Sequence, residues 1–152
     1  MDFAVSEFRK MKMQPRGKRM TSERKIRVLI AKVGLDGHDR GVRVVSVLLR
    51  EAGMEVIYLG LYQTPEMIVK AAVQEDVDVI GLSFLSGGEL AHTPKVIQLM
   101  KENNMHDVLL LVGGVFPKEE IPILKEMGVD EVFMGSLTPP IIEYIRNNVR
   151  MR

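Results

Sequence analysis

Residues 26–41 read Ile26-Arg27-Val28-Leu29-Ile30-Ala31-Lys32-Val33-Gly34-Leu35-Asp36-Gly37-His38-Asp39-Arg40-Gly41. The stretch through Lys32 is a β-branched, apolar run of strand length, and Gly34–Gly37 breaks it with a loop. From Arg40 to Ala52 the spacing turns helical. Val42, Val45, Val47, Leu48 and Leu49 supply an apolar side, and Gly53 stops the helix. A strand, a tight loop and a helix make half of a crossover unit. Whether the sheet is parallel depends on whether the unit repeats.

It repeats to the end of the chain. Glu55–Leu59 is a second strand. Thr64-Pro65-Glu66 then reads as an N-cap, a first-turn proline and an acidic first turn, opening a helix to about Gln74. Val77–Leu82 is a third strand, and the spacing predicts a helix over 91–103, with Thr93-Pro94 as a candidate start. Val108–Val112 is a fourth strand, ended by Gly113-Gly114. A helix over 118–127 is closed by Gly128. Glu131–Met134 is a fifth strand and Thr138–Asn148 a fifth helix. Five strands alternating with helices require right-handed crossovers and a parallel sheet covered on both faces. The expected fold is α/β, a flavodoxin-like (Rossmann-like) doubly wound sheet of order 2-1-3-4-5. Such a sheet binds ligands outside the carboxyl ends of its strands, near the switch between strands one and three.

The bulk properties fit one domain. The chain has 152 residues, 46% hydrophobic and 27% charged, enough for one core. There is no cysteine, which removes disulfides, thiolate metal sites and cysteine nucleophiles and fits the cytoplasm. The formal net charge of +1 is uneven, because eight Lys and Arg stand among residues 1–25 against Asp2, Glu7 and Glu23. Residues 1–24 are therefore expected to be a basic, partly disordered extension, and 25–152 the folded domain. The extension lacks aromatic interleaving beyond Phe3 and Phe8, which argues for a partner-docking arm rather than a nucleic-acid contact. No apolar run approaches the roughly 20 residues of a membrane span.

The chemistry gathers at the strand ends. Asp36 and His38 lie in a glycine-bracketed loop at the ligand edge. An imidazole there can be a metal ligand, a general base or a phosphate contact. A carboxylate two residues earlier can accept its other ring N–H, and Lys32 can hold that carboxylate ionised. An isolated Asp-x-His more often shapes a turn and caps a helix. Here Ser83-Phe84-Leu85 directly follows strand three, and Gly113-Gly114 directly follows strand four. Small and polar residues at successive strand ends leave open space, and glycine pairs let backbone approach a ligand. His92 and His106 read as ordinary solvated histidines.

Asp36-x-His38-x-x-Gly41, then Ser83-x-Leu85, then Gly113-Gly114 resembles the signature of the cobalamin-binding domain shared by methylmalonyl-CoA mutase, its relatives, glutamate mutase and methionine synthase. The first two pieces are 41 residues apart (42–82) and the last two 27 (86–112). The likeness covers about residues 25–148. Ala31–Gly41 and Gln63-Thr64-Pro65 are similar to the acyl-CoA mutases in particular.

The resemblance implies a cofactor, adenosylcobalamin, bound with its own base displaced and His38 as the lower axial ligand of cobalt. Asp36 would hydrogen-bond His38, and Lys32 would complete that relay. The displaced nucleotide tail would thread a channel lined by Ser83 and Leu85, with Ser83 offering a hydrogen bond and Gly113 and Gly114 keeping the wall thin. Gly41 would let the first helix begin close to the tail. Gly37, Asp39 and Arg40 complete the loop contacts.

After strand five the mutase pattern Gly-Pro-Gly-Thr is altered to Met134-Gly135-Ser136-Leu137-Thr138. That departure puts Gly135 and Thr138 in doubt as tail contacts and is shared with small subunits of 2-hydroxyisobutyryl-CoA mutases. The implied activity is carbon-skeleton isomerisation of an acyl-CoA of the methylmalonyl or 2-hydroxyisobutyryl type. No catalytic residue is expected in this chain. The substrate chemistry would belong to a large (β/α)-barrel subunit, in a heteromer such as a heterotetramer, with no nucleic acid and no membrane involved.

Other readings of the same topology fare less well. A phosphorylation receiver wants an aspartate where Ser83 stands. A methyl-transfer corrinoid protein wants a helical bundle ahead of this domain, for which 24 residues are too few. A free-standing cobalamin carrier, or a cobalamin-dependent regulatory adaptor, is the alternative that stays open.

Overall fold

The structure, a computed structural model, describes residues 24–150 apart from Asp36, Ser86, Ser136 and Leu137. The basic extension through residue 23 therefore lies outside the described residues, as does Asp36 with its expected bond to His38. The elements run β1 (Arg27–Val33), α1 (Arg40–Glu51), β2 (Glu55–Gln63), α2 (Pro65–Gln74), β3 (Val79–Phe84), α3 (Glu89–Glu102), β4 (Leu109–Gly114), α4 (Glu120–Met127), β5 (Glu131–Met134) and α5 (Thr138–Asn148). All neighbouring strands pair in parallel, in the order β2-β1-β3-β4-β5. This is the expected doubly wound sheet. Among the described residues no helix is long and apolar enough to cross a membrane.

Side chains alternate across the strands, which divides the core in two. Leu29, Ala31, Ile80, Leu82, Phe84, Leu110 and Val112 pack under α2, α3 and α4, where Ile68, Val96, Met100 and Leu124 meet them. Val28, Ile30, Val79, Leu109, Leu111 and Phe133 face α1 and α5, where Val42, Leu49, Ile145 and Val149 meet them. The cap at α2 is as the sequence predicts: Met67 N donates to Thr64 Oγ1 at 3.2 Å, with Pro65 in the first turn.

Four of the boundaries differ from expectation in ways that shape the ligand edge. Strands β3 and β4 run on through Ser83-Phe84 and Gly113-Gly114, so these residues belong to the sheet rather than following it. Hydropathy falls at Leu82 and Val112, but ladder pairing continues, with Ser83 opposite Gly113 and Phe84 opposite Gly114. Helix α3 starts at Glu89, not at Thr93-Pro94. The carbonyl of Gly88, whose φ is 94°, accepts from both Ala91 N and His92 N and seeds the first turn, so Pro94 sits inside the helix. Strand β2 continues to Gln63 with register shifts against β1 on either side of Ala31. Gly60 (φ 94°) and Tyr62 (φ 60°) absorb the irregularity.

Candidate functional site

The register aligns the strand ends. Lys32 of β1 stands opposite Ser83 of β3, Ser83 opposite Gly113 of β4, and Gly113 opposite Phe133 of β5. One rung below, Ile30 stands opposite Gly81, and Gly81 opposite Leu111. On the α1/α5 face these two rungs carry almost no bulk at the centre of the sheet. The result is a cavity of about 290 Å³, near the lower end of the ~300–1,000 Å³ of ligand sites. Its walls are Ile30, Leu111 and Phe133 from the sheet, Val42, Val45 and Leu49 from α1, and Ile141 and Ile145 from α5. His38, Gly41, Leu85, Gly114, Val115 and Gly135 also line it, toward the carboxyl edge of the sheet.

Lys32 is the polar feature of this mostly apolar hollow. It is 1% exposed, and its Nζ donates to Ser83 Oγ at 3.3 Å. That leaves the Ser83 hydroxyl hydrogen to donate into the cavity. His38 is solvent-exposed and lines the same cavity. The structure thus gathers Lys32, His38, Gly41, Ser83, Leu85, Gly113, Gly114 and Gly135 around one space.

Other expected contacts stand apart from that lining. Asp39 turns to α1, where its Oδ2 lies 2.6 Å from Arg43 Nε and its hydrogen bond raises the Arg43 pKa. Gly37 lies against Tyr62 and Arg40 is exposed at the start of α1, while the side chain of Thr138, the first residue of α5, lies outside the described residues.

The glycines have different reasons. At Gly114 (φ 133°) an added Cβ would fall 1.7 Å from the carbonyl oxygen of Phe84. Strand-to-strand backbone contact therefore requires glycine there, at a position that also lines the cavity. At Gly113 an added Cβ would meet the Phe133 carbonyl oxygen at 3.3 Å. At Gly81 it would meet only Ile30 Cγ1 at 3.7 Å and Leu29 O at 3.8 Å, ordinary contact distances. The protein's own packing would admit a methyl there, so the glycine leaves space in the cavity. The sequence reading missed Gly81. The available signal was its position two residues before Ser83, which puts it on the same face.

The carboxyl edge carries two further features. Leu35, Tyr62, Leu85 and Val115, at or just past the ends of β1 to β4, and Leu90 in the first turn of α3 are all exposed. Glu89, at the start of α3, is 4% exposed and pairs with Glu120 at the start of α4. Two adjacent carboxyls cannot both ionise cheaply. The Glu120 carboxyl is pushed up to about 7, first by its hydrogen bond with Glu89, then by burial and by the charges of Glu89 and Glu119. His92 is half-buried, not freely solvated: side chains added at Gly34 or Gly88 would touch its ring at 3.2 and 3.0 Å. His106 is half-buried as well.

Residues 26–143 match the family model described as the B12 binding domain. The chain is 53% identical over 129 residues to the 2-hydroxyisobutanoyl-CoA mutase small subunit of Aquincola tertiaricarbonis, covering 84% of this chain and 94% of that protein. It is 35% identical over 128 residues to the methylmalonyl-CoA mutase of Cereibacter sphaeroides, covering 84% of this chain but 18% of that protein. Among solved structures it is similar to a cobalamin-binding protein from Desulfitobacterium hafniense DCB-2. There the TM-score is 0.71 at 19% identity, covering 82% of this chain and 59% of that one.

Proposed function

This chain belongs to the B12 binding domain family, and on that premise we propose that it is the cobalamin-binding small subunit of an adenosylcobalamin-dependent acyl-CoA mutase of the 2-hydroxyisobutanoyl-CoA type. The observation that carries the reading is the hollow face of the sheet, with His38 at its carboxyl edge and Gly81, Ser83 and Gly113 on its floor. The residues fit the cofactor. His38 sets an imidazole at the rim, and among the described residues the slot below it is mostly apolar and holds the Lys32–Ser83 hydrogen bond, a lining that suits a displaced nucleotide tail. When bound, adenosylcobalamin supplies the radical chemistry that rearranges the acyl-CoA carbon skeleton.

This chain's residues hold and orient. His38 would hold the cobalt through a ring nitrogen, and Asp36, which lies outside the described residues, would fix its tautomer by accepting the other N–H. Lys32 fixes the Ser83 hydroxyl, which donates to the tail base. Leu85, Gly113 and Gly135 border the tail, and Gly41 keeps the start of α1 close to it. Gly37, Asp39, Arg40 and Thr138 make the outer contacts.

The partner is a large mutase subunit. The relative it matches over 94% of its length is itself a mutase small subunit, which supports a large subunit as the partner. We assign that chain a (β/α)-barrel, a heterotetrameric assembly with this one, and docking on the exposed apolar edge formed by Leu35, Tyr62, Leu85, Leu90 and Val115. The basic residues 1–24 form an extension available to the same partner, and 25–152 form the cofactor domain.

The test is an absorbance titration with adenosylcobalamin. Wild type should give the spectrum of histidine-ligated, base-displaced cofactor, and His38→Ala should not. An unchanged spectrum in the variant would remove the axial assignment. Turnover of 2-hydroxyisobutanoyl-CoA against methylmalonyl-CoA, after adding a large subunit, would decide the substrate type.

A further inference from the structure

Strand β2 follows β1 in simple register from Arg27 opposite Glu55 to Ile30 opposite Tyr58, then slips. The slip puts Tyr62 in the left-handed region, at φ 60°, where a ring-bearing residue is rarely found. An irregularity of this kind re-aims a side chain, and such features collect near functional sites. Here it turns Tyr62 toward the β1–α1 loop. The Tyr62 hydroxyl lies 3.3 Å from where a Cβ would stand on Gly37, the residue before His38. The neighbouring backbone is held in place. Gln63 Nε2 donates to the carbonyls of Leu59 (3.3 Å) and Leu61 (3.0 Å), and Gly34 N donates to Gln63 O at 2.9 Å. The end of β2 and the start of the loop are thereby tied together on one side of Tyr62, and its ring spans to the other. The ring is nevertheless 55% exposed. Its burial alone does not account for keeping a tyrosine in a conformation that glycine would adopt without strain.

We propose that Tyr62 is a positioning residue for His38, its ring closing over Gly37 and holding the β1–α1 loop so that the imidazole is presented at the cavity. The inference rests on the reading of His38 as the cobalt ligand and adds to it the device that orients the loop. Gly37 is part of the same device, because a side chain there would press on the Tyr62 hydroxyl.

The experiment compares wild type, Tyr62→Gly, Tyr62→Phe and His38→Ala by absorbance titration with adenosylcobalamin and by thermal unfolding of the unliganded chain. Tyr62→Gly relieves the left-handed backbone, so the unliganded protein should melt at the wild-type temperature or slightly above. It should bind cofactor about ten-fold more weakly and show a smaller histidine-ligated fraction at saturation. Tyr62→Phe keeps the ring and should rescue affinity to within about two-fold of wild type.

Wild-type affinity and spectrum in Tyr62→Gly, with the ligated spectrum lost in His38→Ala, would overturn the positioning role and leave the axial assignment standing. A ligated spectrum that survives in His38→Ala would overturn both. A lower melting temperature of unliganded Tyr62→Gly would make the residue a fold element and also overturn the proposal.

Discussion

Under α2, α3 and α4 the sheet offers Leu29, Ile80, Leu82, Phe84, Leu110 and Val112, and Ile68, Val96, Met100 and Leu124 of the helices pack against them. Under α1 and α5 the same strands offer Ile30, Lys32, Gly81, Ser83, Leu111 and Gly113, and a cavity of about 290 Å³ remains. Neighbouring residues on one strand thus do opposite work: Leu82 fills its face and Gly81 empties the other. Because side chains alternate, the chain can keep a close-packed layer for stability and give up packing on the opposite face for a guest. The division predicts that substitutions on the two faces fail in different assays.

The largest effect should come from the filled face. Leu110→Ala removes a fully buried side chain and should cost roughly 2–5 kcal/mol in urea unfolding. A much smaller loss would mean that this layer is looser than its burial implies. The hollow face should behave in the reverse way. Gly81→Val places methyl groups in open space and should change unfolding free energy by less than about 1 kcal/mol, below the usual cost of overpacking. Adenosylcobalamin affinity should fall at least about ten-fold in a spectroscopic titration. If Gly81→Val bound cofactor normally, the guest would not reach that depth and the cavity would need another occupant.

The smallest effect lies at the carboxyl edge, where the Glu89–Glu120 pair joins the ends of α3 and α4. Glu120 carries an ordinary carboxyl near 4.5 when unfolded, pushed up to about 7 in the fold. Between those values the folded chain holds the proton that the unfolded chain has lost. Stability should therefore fall as pH rises through that window and level off above it. Glu120→Gln should flatten the melting temperature between about pH 4.5 and 7. A slope unchanged from wild type would assign it to other groups.

Much of this division was legible in the sequence. Alternating strand and helix signals gave the topology, and the Thr64-Pro65 cap gave the start of α2, because both rest on local chemistry. The ends of β3 and β4 were not legible. Pairing between neighbours, not hydropathy, carries the strands through Ser83 and Gly113. The start of α3 was hidden because Gly88 seeds it through its carbonyl while Pro94 looks like a first-turn signal. At the site, His38, Ser83 and Gly113 stood out as polar or small residues at strand ends. Val42, Val45, Leu49, Ile141 and Ile145 did not, since an apolar residue lining a cavity and one lining a core have the same spacing. Gly81 lay between these cases, recognisable only once Ser83 fixed which face was hollow.

Where Gly114 meets the Phe84 carbonyl, main chain rests on main chain with no side chain to swing aside. That corner of the entrance is incompressible. The opposite bank is built of side chains on two helices, Val45 on α1 and Ile141 on α5, which meet the sheet through apolar packing. Any widening of the mouth for a long, stiff guest should therefore come from the helix bank, where side chains can give, and not from the strands.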